Sequence, residues 1–587
     1  MTTYLFPAST AIESFRDAGY RDTSMALAEL VDNSIQAEAD NIRILAIEEN
    51  VSVQRTVANV GSLAVYDDGH GMTPDVLEIC LAFAQGTRLN TRSGIGRFGV
   101  GLPLASISQC KRVTAYSWQK GKCFTTHLDI DEVKKSGQQM TNDVKECEIP
   151  GEILRHLDVP VKEQGSLIVW EDCDRLDLRR TNTLVKRMEA SFCRIYRHFL
   201  DDDNTYGRKR DIRILIVKPD ADKVEIVKLL PNDPLYLMTP HNLPGFENEA
   251  TNEAYGEVQK IPVKYGNKGK KSVVEVRYSI IRPEIARWTR NSDTASVVDH
   301  YKTNTGISFV RAGREIDFGS FGYFNPQELP ERYWGCEIRF EPELDELFGV
   351  TNNKQAVRDI DYIEREEVEQ LHEGLTEDDE DFDHKIALRG ELGKNFKNAR
   401  KGMMARISGL KPEKGSTVVG RKTDPATQSA ELAGQNFKND PTKTKTKVEK
   451  DTVPDDEQDA KLKDMLIQEH GNDLSDDELN RIVEEIKLTG VTIIEKAWPG
   501  NQFYTIERPG EIMTIALNAQ HPFQAELYDK ICKGTDTQEA LAMNLFLIAA
   551  ARAEDELWDD KSQEILEEFR EKWGGWIKKL LTQLNNS

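Results

Sequence analysis

Glu29 and Asn33 stand four residues apart in the block AELVDNSIQA, which on a helix stacks them one turn apart on one face. A carboxylate and an amide oxygen placed this way could activate a water and take one position on Mg2+, an ion that keeps several waters and few protein ligands. Taken alone, such a pair is also common on solvated helix faces. A second block, VYDDGHGM, breaks a strand-like run at 62–66 with Asp67-Asp68-Gly69-His70-Gly71-Met72. Asp67, at the end of a buried strand, could accept a hydrogen bond from an exocyclic amine, as a base edge is read in an apolar slot. An ordinary Asp-Gly turn reads the same way, and His70 reads as a turn residue. A third block, Gly94-Ile95-Gly96-Arg97-Phe98-Gly99-Val100-Gly101, opens a helical pattern running to Gln109. Glycines at a helix N-terminus leave N–H groups free for phosphate oxygens, aided by the helix dipole. The run does not fit the dinucleotide fingerprint, because no strand enters it directly.

These side chains need a scaffold of helices and strands. A helix over 23–37 would bury Leu27, Leu30, Val31 and Ile35 on one side. Strands are predicted at 41–48, 62–66, 112–118, 123–130 and 166–171, with further helices at 74–85 and 101–109 covering one face. Together they make an α/β sandwich.

The order of the three blocks resembles the GHKL superfamily of gyrase, ninety-kilodalton heat-shock chaperones, histidine kinases and MutL. Gly165-Ser166-Leu167-Ile168-Val169-Trp170 stands where that superfamily has a strand headed by Gly-Thr, with Ser166 keeping the hydroxyl. The resemblance implies ATP and Mg2+ as cofactors and a Bergerat-type fold. Glu29 would be the general base and Asn33 the Mg2+ ligand. Asp67 would bind the adenine amine, with Gly69, Gly71 and Met72 lining the base. Gly94, Gly96, Arg97, Phe98, Gly99, Val100 and Gly101 would form a lid over the phosphates. The histidine-kinase branch is disfavoured, because only a short segment precedes the motifs. ELVDNS and DDGHGM look closer to the microrchidia (MORC) ATPases and their prokaryotic relatives, and GRFGVGL resembles the chaperone lid. Gly349-Val350-Thr351-Asn352-Asn353-Lys354-Gln355 is similar to a MORC segment whose lysine reaches the γ-phosphate, which makes Lys354 the candidate.

A chain of 587 residues should divide into several domains, since single cores stop growing near ~250–300 residues. The expected fold class is α/β: a Bergerat-type ATPase sandwich over 1–174, an S5-like transducer domain over 175–375, a charged, partly disordered linker over 376–458, and a mainly helical α+β domain over 459–587. The second domain would open with a helix at 180–200 and continue through strands at 211–217 and 223–229, a basic hairpin at 260–277, and strands at 306–311 and 334–340. A helix at 359–375 would leave it. In the last domain Ser475 and Glu478 form a capping box, Pro509-Gly510 signals a hairpin, and the final helices would run over 538–553 and 561–584.

The 8 cysteines occur singly with no C-x-x-C pair, which argues against a zinc module and fits a reducing compartment. No apolar run approaches the ~20 residues needed to span a bilayer, so a cytoplasmic protein without membrane partners is expected. A formal charge of −23 argues against bulk electrostatic coating by nucleic acid, but basic patches act locally. Two such patches exist, at 260–277 and at 394–422, where Lys397, Arg400, Lys401, Arg406, Lys411 and Lys414 face few acids. The expected function is a homodimeric, nucleotide-gated clamp that hydrolyses ATP and acts on duplex DNA. The prokaryotic relatives suggest a nuclease or helicase partner and a setting in genome defence. A chaperone-like ATPase with a protein client and a non-hydrolysing scaffold are the alternatives.

Overall fold

The computed structural model describes residues 8–17, 19–20, 22–51, 57–83, 101–137, 143–219, 224–266, 270–286, 294–325, 328–350, 356–375, 379, 382–408, 425–437, 442–450, 455–470, 475–534 and 537–586. An eight-stranded mixed sheet organises the N-terminal body. Its strands are β1 (Asn41–Val51), β2 (Val57–Asp67), β3 (Arg112–Gln119), β4 (Lys122–Asp129), β5 (Lys145–Cys147), β6 (Gly165–Glu171), β7 (Asp211–Val217) and β8 (Glu225–Lys228), in the order β5-β4-β3-β6-β2-β1-β7-β8. Helices Thr23–Gln36, Gly101–Gln109 and Thr181–Ile195 bury their apolar residues on one face, against Ile42, Ile44, Val65, Ala115 and Ile168. The opposite face packs Leu45, Tyr66, Trp118 and Leu167 against Leu154, in the short helix Gly151–Leu154.

A boundary at residue 174 therefore falls inside this body. β7 lies parallel to β1, with Asn41 opposite Asp211 and Ile47 opposite Val217, and β8 continues the same sheet. Arg43, fully buried, holds this seam: its guanidinium reaches Asp158 at 2.5 Å, the Asp211 carboxylate at 2.8 Å and the Asp211 carbonyl at 2.7 Å. A single helix was expected over 180–200, but the chain makes two, Thr181–Ile195 and Arg197–Leu200, both in the first core.

The second body is built on β9 (Asn252–Ala254), β10 (Gln259–Tyr265), β11 (Lys270–Ile281), β12 (Ile307–Arg311), β13 (Arg314–Gly319) and β14 (Trp334–Phe340), in the order β10-β11-β14-β12-β13 with β9 on β11. The helix expected at 359–375 is shorter, Arg365–Leu371. The 376–458 stretch is not simply a linker. Helix His384–Ser408 spans 25 residues and buries Leu388, Leu392, Phe396, Met403 and Ile407 in the second core. Two of its arginines are also occupied. Arg400 binds Glu331 at 2.5 Å and Glu328 at 3.2 Å, and Arg406 pairs with Glu253, so neither is an open phosphate grip. Lys411 and Lys414 lie outside the described residues.

The C-terminal part carries β15 (Val491–Lys496), β16 (Tyr504–Glu507) and β17 (Met513–Asn518) in the order β15-β17-β16. The capping box at Ser475 and Glu478 is formed, and Gly510 turns the β16–β17 hairpin with φ +65°. Helices Thr537–Asp555 and Asp560–Asn586 close the chain. The fold is mixed α/β with a large mixed sheet followed by further domains, the class the sequence predicts.

Candidate nucleotide site

The end of β2 meets the helix-covered face of the first sheet at Asp67. Register places Asp67 opposite Ser166 on β6, and Ser166 opposite Ser117 on β3, so three polar side chains sit in a row across adjacent strands. Asp67 is buried and accepts hydrogen bonds from the Gly69 N–H at 2.9 Å and from Ser34 Oγ at 3.1 Å. Burial pushes its carboxyl up to about 6, with the Gly69 and Ser34 hydrogen bonds pulling back. One carboxylate beside an apolar core suits an acceptor for an exocyclic amine. Asp68 has a different role. It accepts from the N–H groups of Asp40 and Asn41 at 2.7 and 2.8 Å and pairs with Lys162 at 2.6 Å, which fixes the start of β1.

The turn that follows comes close to β3. Gly71 has φ +69°, and a Cβ there would fall 2.9 Å from the Trp118 carbonyl and 3.1 Å from Ser117 Oγ. The Met72 N–H donates to Ser117 Oγ at 2.7 Å, and Ser117 Oγ donates to the Gly165 carbonyl at 3.1 Å. His70 is exposed and bonded to the Gly71 carbonyl through Nδ1 at 2.7 Å, a turn residue as expected.

Glu29 and Asn33 share the helix Thr23–Gln36, capped by Asp22, whose carboxylate accepts from the Met25 N–H at 2.9 Å. The apolar stripe is buried as predicted, and so are Glu29, Asp32 and Ser34, because the helix is covered on several sides. Asn33 is exposed. Gly101 begins its own helix against Glu29, so that a Cβ at Gly101 would lie 2.5 Å from Glu29 Oε2. The carboxylate thus stands at a helix N-terminus, where first-turn N–H groups lack intrahelical partners and the dipole favours negative charge.

The structure brings Glu29, Asn33, Asp67, Gly69, Gly71, Met72, Gly101 and Ser166 to one end of the sheet. Gly94, Gly96, Arg97, Phe98, Gly99, Val100 and Lys354 lie outside the described residues. Sequence reasoning did not single out Ser34 or Ser117. Ser34 follows Asn33 directly within the first block, but Ser117 is placed only by strand register. Among the described residues no group of three or more His, Cys, Asp or Glu could cage a metal. An exposed amide oxygen one turn from a buried carboxylate fits Mg2+, which keeps most of its waters.

Residues 20–156 match the family described as histidine kinase-, DNA gyrase B-, and HSP90-like ATPase. The match spans the Glu29 helix, the Asp67 turn and Gly101, and stops short of Ser166. The matched stretch holds strands β1 to β5 of the eight-stranded sheet. No curated protein matches the chain. Among solved structures, the N-terminal domain of a DNA repair protein aligns with a TM-score of 0.35 and 13% identity, covering 66% of this chain and 98% of that one. No helix among the described residues is long and apolar enough to cross a membrane.

Proposed function

We propose that this chain is a Mg2+-dependent ATPase that works as a homodimeric, nucleotide-gated clamp on DNA. The observation that carries the ATPase reading is the buried Glu29 carboxylate held against the N-terminus of the Gly101 helix, with Asn33 one turn away and Asp67 buried at the strand end. Glu29 takes the proton of the water whose oxygen attacks the γ-phosphorus, leaving ADP and phosphate. Asp67 accepts from the adenine amine, and Gly71 and Met72 hold the base edge beside Ser117 and Ser166. Asn33 orients Mg2+, which supplies neutralising charge at the phosphates when bound. On the strength of the GHKL resemblance the lid from Gly94 to Gly101, and on that of the MORC resemblance Lys354 in an S5-like transducer, would complete the phosphate contacts.

DNA as the load is supported by exposed lysines on the basic strand pair: Lys260 on β10, and Lys270 and Lys271 at the start of β11. Homodimerisation is supported by helix Asp560–Asn586, which leaves Ile565, Phe569, Trp576, Leu580 and Leu584 exposed along one stripe. Its acids all fall in 560–571, and past Lys572 its only charges are Lys578 and Lys579, a distribution that suits antiparallel pairing of two copies. A nuclease or helicase partner in genome defence rests on the resemblance alone.

Steady-state phosphate release with and without duplex DNA, together with the solution mass, tests this reading. Turnover stimulated by DNA and a mass of two chains are expected. Turnover indifferent to DNA would favour a protein client, and no turnover would leave a nucleotide-gated scaffold.

A further inference from the structure

A hairpin of the second body reaches the helix that carries Glu29. Its turn, Ala312-Gly313 between β12 and β13, has φ +47° and +84°, and a Cβ on Gly313 would fall 2.7 Å from the Tyr206 ring and 3.0 Å from that of Phe199. The tip therefore sits tightly against the first body. The next two residues both find partners there. Arg314, 1% exposed, donates Nε–H to Asp32 Oδ1 at 2.9 Å. The Tyr196 hydroxyl lies 2.9 Å from the same oxygen and 2.8 Å from the Ala28 carbonyl. Glu315 accepts from Arg197 at 2.6 Å. Ala28 precedes Glu29, and Asp32 precedes Asn33, so each contacted residue is the chain neighbour of a candidate site residue on their own helix.

A buried ion pair gives little net stability over an apolar pair of the same size, and its best-attested use is to fix register. We propose that Arg314, through Asp32 and Tyr196, is a positioning residue that sets the register of the Glu29 helix and couples the second body to the placement of Glu29 and Asn33. The proposal rests on the reading of Glu29 as the base for ATP hydrolysis. Any movement of the β12–β13 tip then reaches the site through one rigid contact.

The test uses the full chain, with Arg314→Gln and the apolar pair Asp32→Leu/Arg314→Met. The readouts are kcat, KM, the Kd of a non-hydrolysable ATP analogue with Mg2+, thermal melting, and amide hydrogen exchange at 311–315. Arg314→Gln is expected to lower kcat about tenfold to a hundredfold, the scale of a small misplacement at a site, while the analogue Kd stays within about threefold. The apolar pair is expected to melt like wild type yet keep the low kcat, which a purely structural contact would not do. Wild-type kcat in the folded apolar pair, or kcat and Kd moving together, overturns the proposal. If wild type itself does not turn over, the ATPase reading falls alone and exchange decides: the analogue slows exchange at 311–315 in wild type and not in Arg314→Gln if the coupling exists, and equal protection in both overturns it.

Discussion

Ser34 donates its hydroxyl to Asp67 Oδ2 at 3.1 Å, joining the helix of Glu29 to the strand end that carries the candidate base-reading carboxylate. The two ends of a nucleotide, base and phosphates, would thus be read from one helix–strand unit. Burial leaves Asp67 with a carboxyl near pH 6, and a pH dependence follows. Above about 6 the group is ionised and accepts fully. Below it the protonated carboxyl is a weaker acceptor, and affinity for an ATP analogue should fall by up to about tenfold per pH unit if only the carboxylate binds. Titration calorimetry from pH 5 to 8 checks this, with Asp67→Asn expected to be weak and flat. The sign for folding is opposite. With the native value raised above that of the unfolded chain, Asp67 costs stability above about 6 and regains it as the pH falls towards about 4.

Gly101→Ala puts a methyl carbon 2.5 Å from Glu29 Oε2. The helix start or the carboxylate must shift, and kcat should drop about a hundredfold, the scale of a lost general base, with melting little changed. A variant with full turnover would show that the approach of Gly101 to Glu29 is not used.

Arg43→Ala should cost about 3–5 kcal/mol in urea unfolding, the range for breaking a buried charge pair. The substitution removes the fully buried one of the two arginines, Arg43 and Arg213, that bridge Asp158 and Asp211 at the β1–β7 seam. A loss below about 1 kcal/mol would mean that β7 is held by its ladder alone.

Glu567, in the terminal helix, meets Arg332 at 2.5 Å and Lys302 at 2.9 Å. Burial pushes its carboxyl up, but these two cations hold it down at about 2. A depressed value means that its stabilisation is complete above the unfolded value near 4.3 and is lost as the pH falls towards 2, about 3 kcal/mol in all. Acid unfolding of Glu567→Gln should be correspondingly flatter over that window.

Charge reversal at Lys270 and Lys271 should abolish DNA stimulation of turnover while leaving basal turnover intact, and should flatten the salt dependence of DNA binding. Reversal at Arg400 is a poor test, because it breaks a buried contact with Glu331.

The candidate site was legible where the signal is local. A strand-like, mainly apolar run meeting Asp67-Asp68-Gly69 marks a strand end, and Leu27, Leu30, Val31 and Ile35 mark a buried helix face. What stayed hidden is non-local. Ser117 reaches Met72 only because β3 pairs with β6 in one register, and β7 joins the first sheet by a crossover that chain order does not announce. Nothing local marks Asp32; its partner Arg314 lies far along the chain and is placed against it only by the fold. Helix His384–Ser408 was readable in principle: Leu388, Leu392, Phe396, Met403 and Ile407 recur at helical spacing, masked by the surrounding charge.

The most direct measurement pairs analogue binding with phosphate release for wild type and Glu29→Gln. Glu29→Gln is expected to bind the Mg2+–ATP analogue within about threefold of wild type while its turnover falls at least about a hundredfold. Turnover within about twofold of wild type, with binding intact, would contradict the assignment of Glu29 as the base for ATP hydrolysis.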